Sequence, residues 1–173
     1  MNRQFVIEAV LLAAYGQLLV PPREVEFLIP YTSIMELYEV VKSDEPIMDD
    51  ASEEAHAREK IKELIAFFEE PLNKKKIERA LASPWRKSPP LPVNADVALT
   101  IVNAYDDARY GDHFDAIETE LIMIAQQGDI PILTDQFEFT DRVIEFEIPV
   151  QVFDLDDFAF AVEEGLSPEQ WNV

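Results

Sequence analysis

Short apolar runs alternate along this chain with segments whose apolar residues recur at helical spacing. Phe5-Val6-Ile7, Val25-Glu26-Phe27-Leu28-Ile29, Ile130-Pro131-Ile132-Leu133-Thr134 and Val150-Gln151-Val152-Phe153 are the short runs. They are rich in β-branched or aromatic residues and predict strands near 4–8, 26–29, 130–134 and 150–153. Residues 32–41 carry Ile34, Leu37, Tyr38 and Val41 on one stripe, with Thr32 or Ser33 placed to cap a helix. Helical spacing recurs over 52–70 through Ala57, Ile61, Leu64, Ile65 and Phe68, and over 71–82 through Leu72, Ile77, Ala80 and Leu81. A further helix is predicted over 94–110, with Asn94 as N-cap and Val97, Ile101, Ala104, Tyr105 and Ala108 on one face. Another follows Asp115, burying Ile117, Leu121, Ile124 and Ala125, and a last one covers 156–164. Gly111, Gly128 and Gly165 follow these three helices, where a left-handed residue ends a helix.

Strands that are apolar along their length, separated by amphipathic helices, predict an α/β fold: a parallel sheet flanked by helices on both faces. Residues 44–92 form a helical excursion from that body, closed by the stiff connector of Pro84, Pro89, Pro90 and Pro92. Its apolar content is too thin for a core of its own, so the whole chain reads as one domain. Residues 5–19 leave two readings open: a strand followed by a helix, or one helix with Glu8 on its wet face.

Composition narrows the chemistry. The 173 residues hold 35 Asp and Glu against 14 Lys and Arg, a net charge of −21, and an apolar share of 48% that suffices for one core. Cysteine is absent and only His56 and His113 are present. That excludes disulfides, thiolate metal sites and a cysteine nucleophile, and it leaves no multi-histidine centre. Any chemistry must run on carboxylates. Residues 1–92 carry a net of −4 and residues 93–173 a net of −17, the latter containing only Arg109 and Arg142 as bases. Six bases form an island: Lys74, Lys75, Lys76, Arg79, Arg86 and Lys87. It is the one surface open to a phosphate backbone, although a charge run is also what a solvated helix face looks like. No window approaches the roughly 20 apolar residues of a membrane span, so the expectation is a cytoplasmic protein without membrane contact.

Several acids fall where α/β sheets build sites, at the carboxyl ends of strands. Glu8 follows the first run and Glu36 lies one turn into the helix after the second. Asp115 heads a helix with Asp112 just before it, and Asp135 ends the run 130–134. Brought together, such acids repel unless a cation is present, and oxygen-only clusters favour magnesium or manganese. Each also has an ordinary role: a surface acid at Glu8 or Glu36, an N-cap at Asp115, a turn residue at Asp135. His113 fits a loop hydrogen-bonder, and Trp85 either stacks on a base or covers the core.

Four stretches in order resemble the PIN-domain nucleases. Phe5-Val6-Ile7-Glu8-Ala9-Val10-Leu11-Leu12-Ala13-Ala14-Tyr15 is similar to the family's opening strand and helix, with Glu8 where the family usually has Asp. Ile29-Pro30-Tyr31-Thr32-Ser33-Ile34-Met35-Glu36-Leu37 resembles the second strand and helix. Asp112-His113-Phe114-Asp115-Ala116-Ile117 resembles the third acidic motif. Ile132-Leu133-Thr134-Asp135-Gln136-Phe137-Glu138-Phe139 resembles the fourth, with the acid one place early. The resemblance implies a compact α/β fold and a magnesium or manganese site held by Glu8, Glu36, Asp112, Asp115 and Asp135, with Glu8, Glu36, Asp115 and Asp135 acting in the hydrolysis of RNA. Single-stranded RNA would then lie on Lys74, Lys75, Lys76, Arg79, Arg86 and Lys87. The altered first and fourth motifs and the −21 charge suit an alternative, a catalytically silent PIN-like module that binds a basic protein or a second copy of itself.

Overall fold

The computed structural model describes residues 3–105 and 110–164. Strand β1 (Arg3–Val6) leads through Glu8 into helix α1 (Ala9–Ala14), so residues 5–19 are a strand, a helix and a short 3-10 turn (Gly16–Leu19). Next come β2 (Val25–Pro30), α2 (Tyr31–Lys42), α3 (Ala51–Glu69), α4 (Pro71–Ala80), β3 (Leu91–Pro92) and β4 (Val97–Val102). The chain closes with α5 (Ala116–Gly128), β5 (Ile132–Leu133), α6 (Phe137–Glu145), β6 (Val152–Phe153) and α7 (Leu155–Glu164). The six strands form one sheet in the order β3-β4-β2-β1-β5-β6, parallel except for the edge strand β3. This is the expected α/β fold.

Alternation along the strands divides the core between the two faces. Phe5, Phe27, Ile29, Leu99 and Ile101 pack on one face against α1, α2, α3 and α7, with Ile34, Leu37, Ile61, Phe68 and Phe158 in the same cluster. Val6, Leu28, Val102 and Ile132 pack on the other against Leu121, Ile124 and Ala125 of α5 and Phe139 and Val143 of α6. The helical excursion therefore has no separate core. Ile61, Leu64, Phe68 and Ile77 join the first cluster, and its end adds β3 to the sheet. Among the described residues no helix is long and apolar enough to cross a membrane.

Three expectations are corrected. Within the predicted helix over 94–110, Val97–Val102 is instead β4, paired along its length with β2. Val97-Ala98-Leu99-Thr100-Ile101-Val102 is rich in β-branched residues and mostly buried, so no polar alternation marks it as a strand, while Val97 and Ile101 fall by coincidence at helical spacing. Asn94 caps no helix; its side-chain oxygen accepts the N–H groups of Asp96 and Val97 at 2.8 and 2.9 Å, making the turn into β4. Ala108 lies outside the described residues. Thr32 and Ser33 sit inside α2, whose cap position is Pro30. The third correction concerns the glycines. Gly128 is the last residue of α5, and Asp129 takes the left-handed conformation at φ 52°. Gly111 stands in a turn, and Gly165 lies outside the described residues.

Candidate functional site

From β1 the sheet grows outward on one side to β2 and β4, and on the other to β5 and β6. The direction reverses between β1 and β5, and in such sheets a crevice opens there at the carboxyl ends of the strands. Glu8 lies two residues past β1 and Asp135 two residues past β5, at the carboxyl ends of these neighbouring strands. Glu36 projects from the second turn of α2, which starts directly at the end of β2. Asp115 caps α5, in the layer beneath.

These acids share one electrostatic field. Burial, followed by the charges of Glu36, Asp115, Glu118 and Asp135, pushes the Glu8 carboxyl up from 4.5 to about 7. Burial and Asp115 likewise raise Glu36. Glu36 Oε2 is buried with no hydrogen-bond partner among the described residues. An unpartnered carboxylate oxygen beside other acids is costly and suits a cationic ligand. Asp112 stands on the exposed turn before α5 and is not among the acids that act on Glu8. Among the described residues, no three His, Asp or Glu side chains stand in a cation-holding arrangement.

Residues outside the predicted set of acids complete the surroundings. Tyr15 donates its hydroxyl to Asp135 Oδ2 at 2.7 Å, and burial together with that bond pushes the phenol up to about 12. Asp115 and Glu118 form a capping box, with Asp115 Oδ1 accepting the Glu118 N–H at 2.7 Å and Glu118 Oε1 accepting the Asp115 N–H at 2.9 Å. Arg142 of α6 donates to both oxygens of Glu118, at 2.9 and 2.6 Å. Ser33 accepts the Ala9 N–H at 2.6 Å, which ties the start of α1 to α2 beside Glu8 and Glu36. The Asp-x-x-Glu spacing was a readable signal for Glu118. Tyr15 and Arg142 had none, being partners only in three dimensions.

The basic island divides in two. Lys87 bridges to Val102, and Trp85 and Arg86 exchange backbone hydrogen bonds with Asn103, so these residues stand at the carboxyl end of β4, on the same sheet edge as the acids. Lys74, Lys75, Lys76 and Arg79 lie on α4, where Lys76 donates to the Pro90 carbonyl at 2.9 Å and Lys74 approaches Glu69 at 3.9 Å. Trp85 is half-buried against the second core cluster, and His113 stacks on Phe146 at 3.8 Å. No protein-family model matches the chain, and no curated protein matches it.

Proposed function

We propose that this chain is a magnesium- or manganese-dependent endoribonuclease of the PIN type, hydrolysing phosphodiesters of single-stranded RNA. The observation that carries the proposal is the gathering of acids around one crevice. Glu36, Asp115 and Asp135, from three separate segments, lie close enough to Glu8 to raise its affinity for a proton. Glu8, Glu36, Asp115 and Asp135 would hold the ion, and the unpartnered Oε2 of Glu36 supports that assignment. When bound, such an ion supplies activation of water and charge stabilisation at the scissile phosphate. Tyr15 orients Asp135 through its hydroxyl, and the capping box fixes Asp115. Arg86 and Lys87, on the same sheet edge, would meet phosphates next to the cleavage point, with Lys74, Lys75 and Arg79 taking a further part of the strand. So few bases neutralise few phosphates, so affinity for RNA should be weak with a shallow salt dependence.

A second reading is favoured by one observation: no three described acids already stand in a cation-holding arrangement. On that reading the domain is silent, and its acidic face docks a basic protein or a second copy of the chain. The deciding assay incubates labelled single-stranded RNA with manganese, beside the Glu36→Gln/Asp115→Asn double variant. The nuclease reading expects slow, manganese-dependent cleavage that falls to background in the variant. Equal cleavage by both proteins would indicate a contaminant. No cleavage with any divalent ion, combined with salt-sensitive binding to a basic protein, would establish the silent module.

A further inference from the structure

Two helix faces carry exposed apolar residues that the crevice does not use. On α6, Phe137 is 80% exposed and Ile144 68% exposed, and their spacing of two turns puts both on one line. Phe139 and Val143 anchor that helix from its other side. Asp141 and Glu145, both exposed, flank the outward line. On α4, Leu72 is 64% exposed and shares its line with exposed Lys75 and Arg79, while Ile77 and Ala80 face the core. None of Asp141, Glu145, Lys75 and Arg79 forms a salt bridge among the described residues.

One face is thus apolar and acidic, the other apolar and basic. They cannot meet within one copy. Helix α4 packs through Ile77 into the cluster on one side of the sheet, and α6 packs through Phe139 and Val143 into the cluster on the other. We infer that the α6 face docks on the α4 face of a second copy of this chain. Phe137 and Ile144 would cover Leu72 and the stem of Arg79, with Asp141 and Glu145 opposite Lys75 and the Arg79 head. Aromatic and Arg side chains are enriched at the centre of such contacts, and an arginine stem covers apolar surface while its head keeps a charge partner. A second copy fits better than an unrelated basic protein because this chain itself supplies both halves of the contact.

The two faces differ, so the contact is heterologous: each added copy leaves a free face for the next, giving open rows or a closed ring. Two short helix faces make a small interface, and the dissociation constant should be on the order of 0.1 mM. The net charge of −21 on each copy opposes approach. At about 0.15 M salt that repulsion is screened beyond about 8 Å, whereas opposed side chains in contact are closer. The inference does not rest on the nuclease reading. Lys75 and Arg79 are also bases assigned to RNA, so a second copy and an RNA strand would compete for α4.

The test is sedimentation velocity in a chelator at about 0.15 M salt, with protein from about 10 μM to about 1 mM. It contains neither RNA nor a divalent ion, so its failure leaves the nuclease reading untouched. The wild type should sediment faster as concentration rises, and Phe137→Ser should weaken association by about tenfold or more. Lys75→Glu/Arg79→Glu and Asp141→Lys/Glu145→Lys should each be monomeric alone, because each opposes like charges across the contact. Mixed in equal amounts, the two variants should associate, since every α6 face then finds an α4 face of opposite charge. Overall charge cannot mimic this pattern: the first variant is more negative than the wild type and the second less, so general repulsion would move them in opposite directions. A wild type that stays monomeric throughout would overturn the inference. Loss of association in only one of the two variants would also overturn it, by indicating contact between like faces. A mixture that stays monomeric would do the same, and so would a monomeric wild type that binds polylysine through Phe137, which would give the α6 face to a basic partner.

Discussion

Replacing Glu8 with Gln tests the electrostatics of the crevice without any metal. In the unfolded chain Glu8 titrates at its ordinary value of 4.5, whereas in the folded protein burial and four neighbouring acids raise it to about 7. The folded state therefore binds the proton more tightly than the unfolded state. Its contribution to stability is complete below pH 4.5 and declines as pH rises through 7. At about 1.4 kcal/mol for each tenfold change in acidity, the ionised side chain costs the fold about 3 kcal/mol by pH 8. Glu8→Gln keeps the shape of the protonated acid and cannot ionise. The variant should match the wild type near pH 4.5 and exceed it by about 3 kcal/mol at pH 8. The assay is urea unfolding in a chelator at pH 4.5, 6, 7 and 8. With slopes of roughly 1–3 kcal/mol per molar urea, the midpoint gap at pH 8 should be about 1 M or more. A gap that is the same at every pH, or a variant weaker than wild type at pH 8, would show that Glu8 does not sit in this field.

Two further expectations concern the frame around the site. Phe5→Ala should lower stability by about 3–5 kcal/mol, because the ring is 2% exposed and lies 5.0–6.4 Å from those of Phe27, Phe153 and Phe158; a loss under about 1 kcal/mol on denaturant unfolding would contradict that packing. Asp115→Ala should cost about 1 kcal/mol through loss of the cap, and Asp115→Asn much less; equal losses in calorimetric melts would mean the cap contributes nothing.

The layout of the sheet was readable because the interiors of β1, β2, β5 and β6 form compact apolar runs bounded by turns or helices. β4 escaped because burial on both faces erases the alternation that separates strand from helix. Helix α6 escaped too: at nine residues it is short, and its core contacts rest on Phe139 and Val143 while Phe137 and Ile144 are exposed. Within the site, Glu36 and Asp115 were legible through local context, one following a strand and the other heading a helix. The partners that hold the acids were not. Tyr15 and Asp135 are 120 residues apart and Arg142 and Glu118 are 24 apart, so neither pair leaves a periodic trace. Only the folded topology brings them together.

The place of β1 between β2 and β5 also sets the order in which the sheet can assemble. Arg3 pairs with Val25, whereas Val6 pairs with Ile132. During synthesis at roughly 5–20 residues per second, one edge of β1 finds its neighbour within seconds, while the other stays open for on the order of ten seconds. For that interval the apolar centre of the sheet presents unpaired N–H and C=O groups, the kind of edge that recruits strands from other chains. Newly made chains are therefore most exposed to aggregation before β5 emerges, and a nascent-chain chaperone covering β1 would protect the half of the crevice that Glu8 occupies.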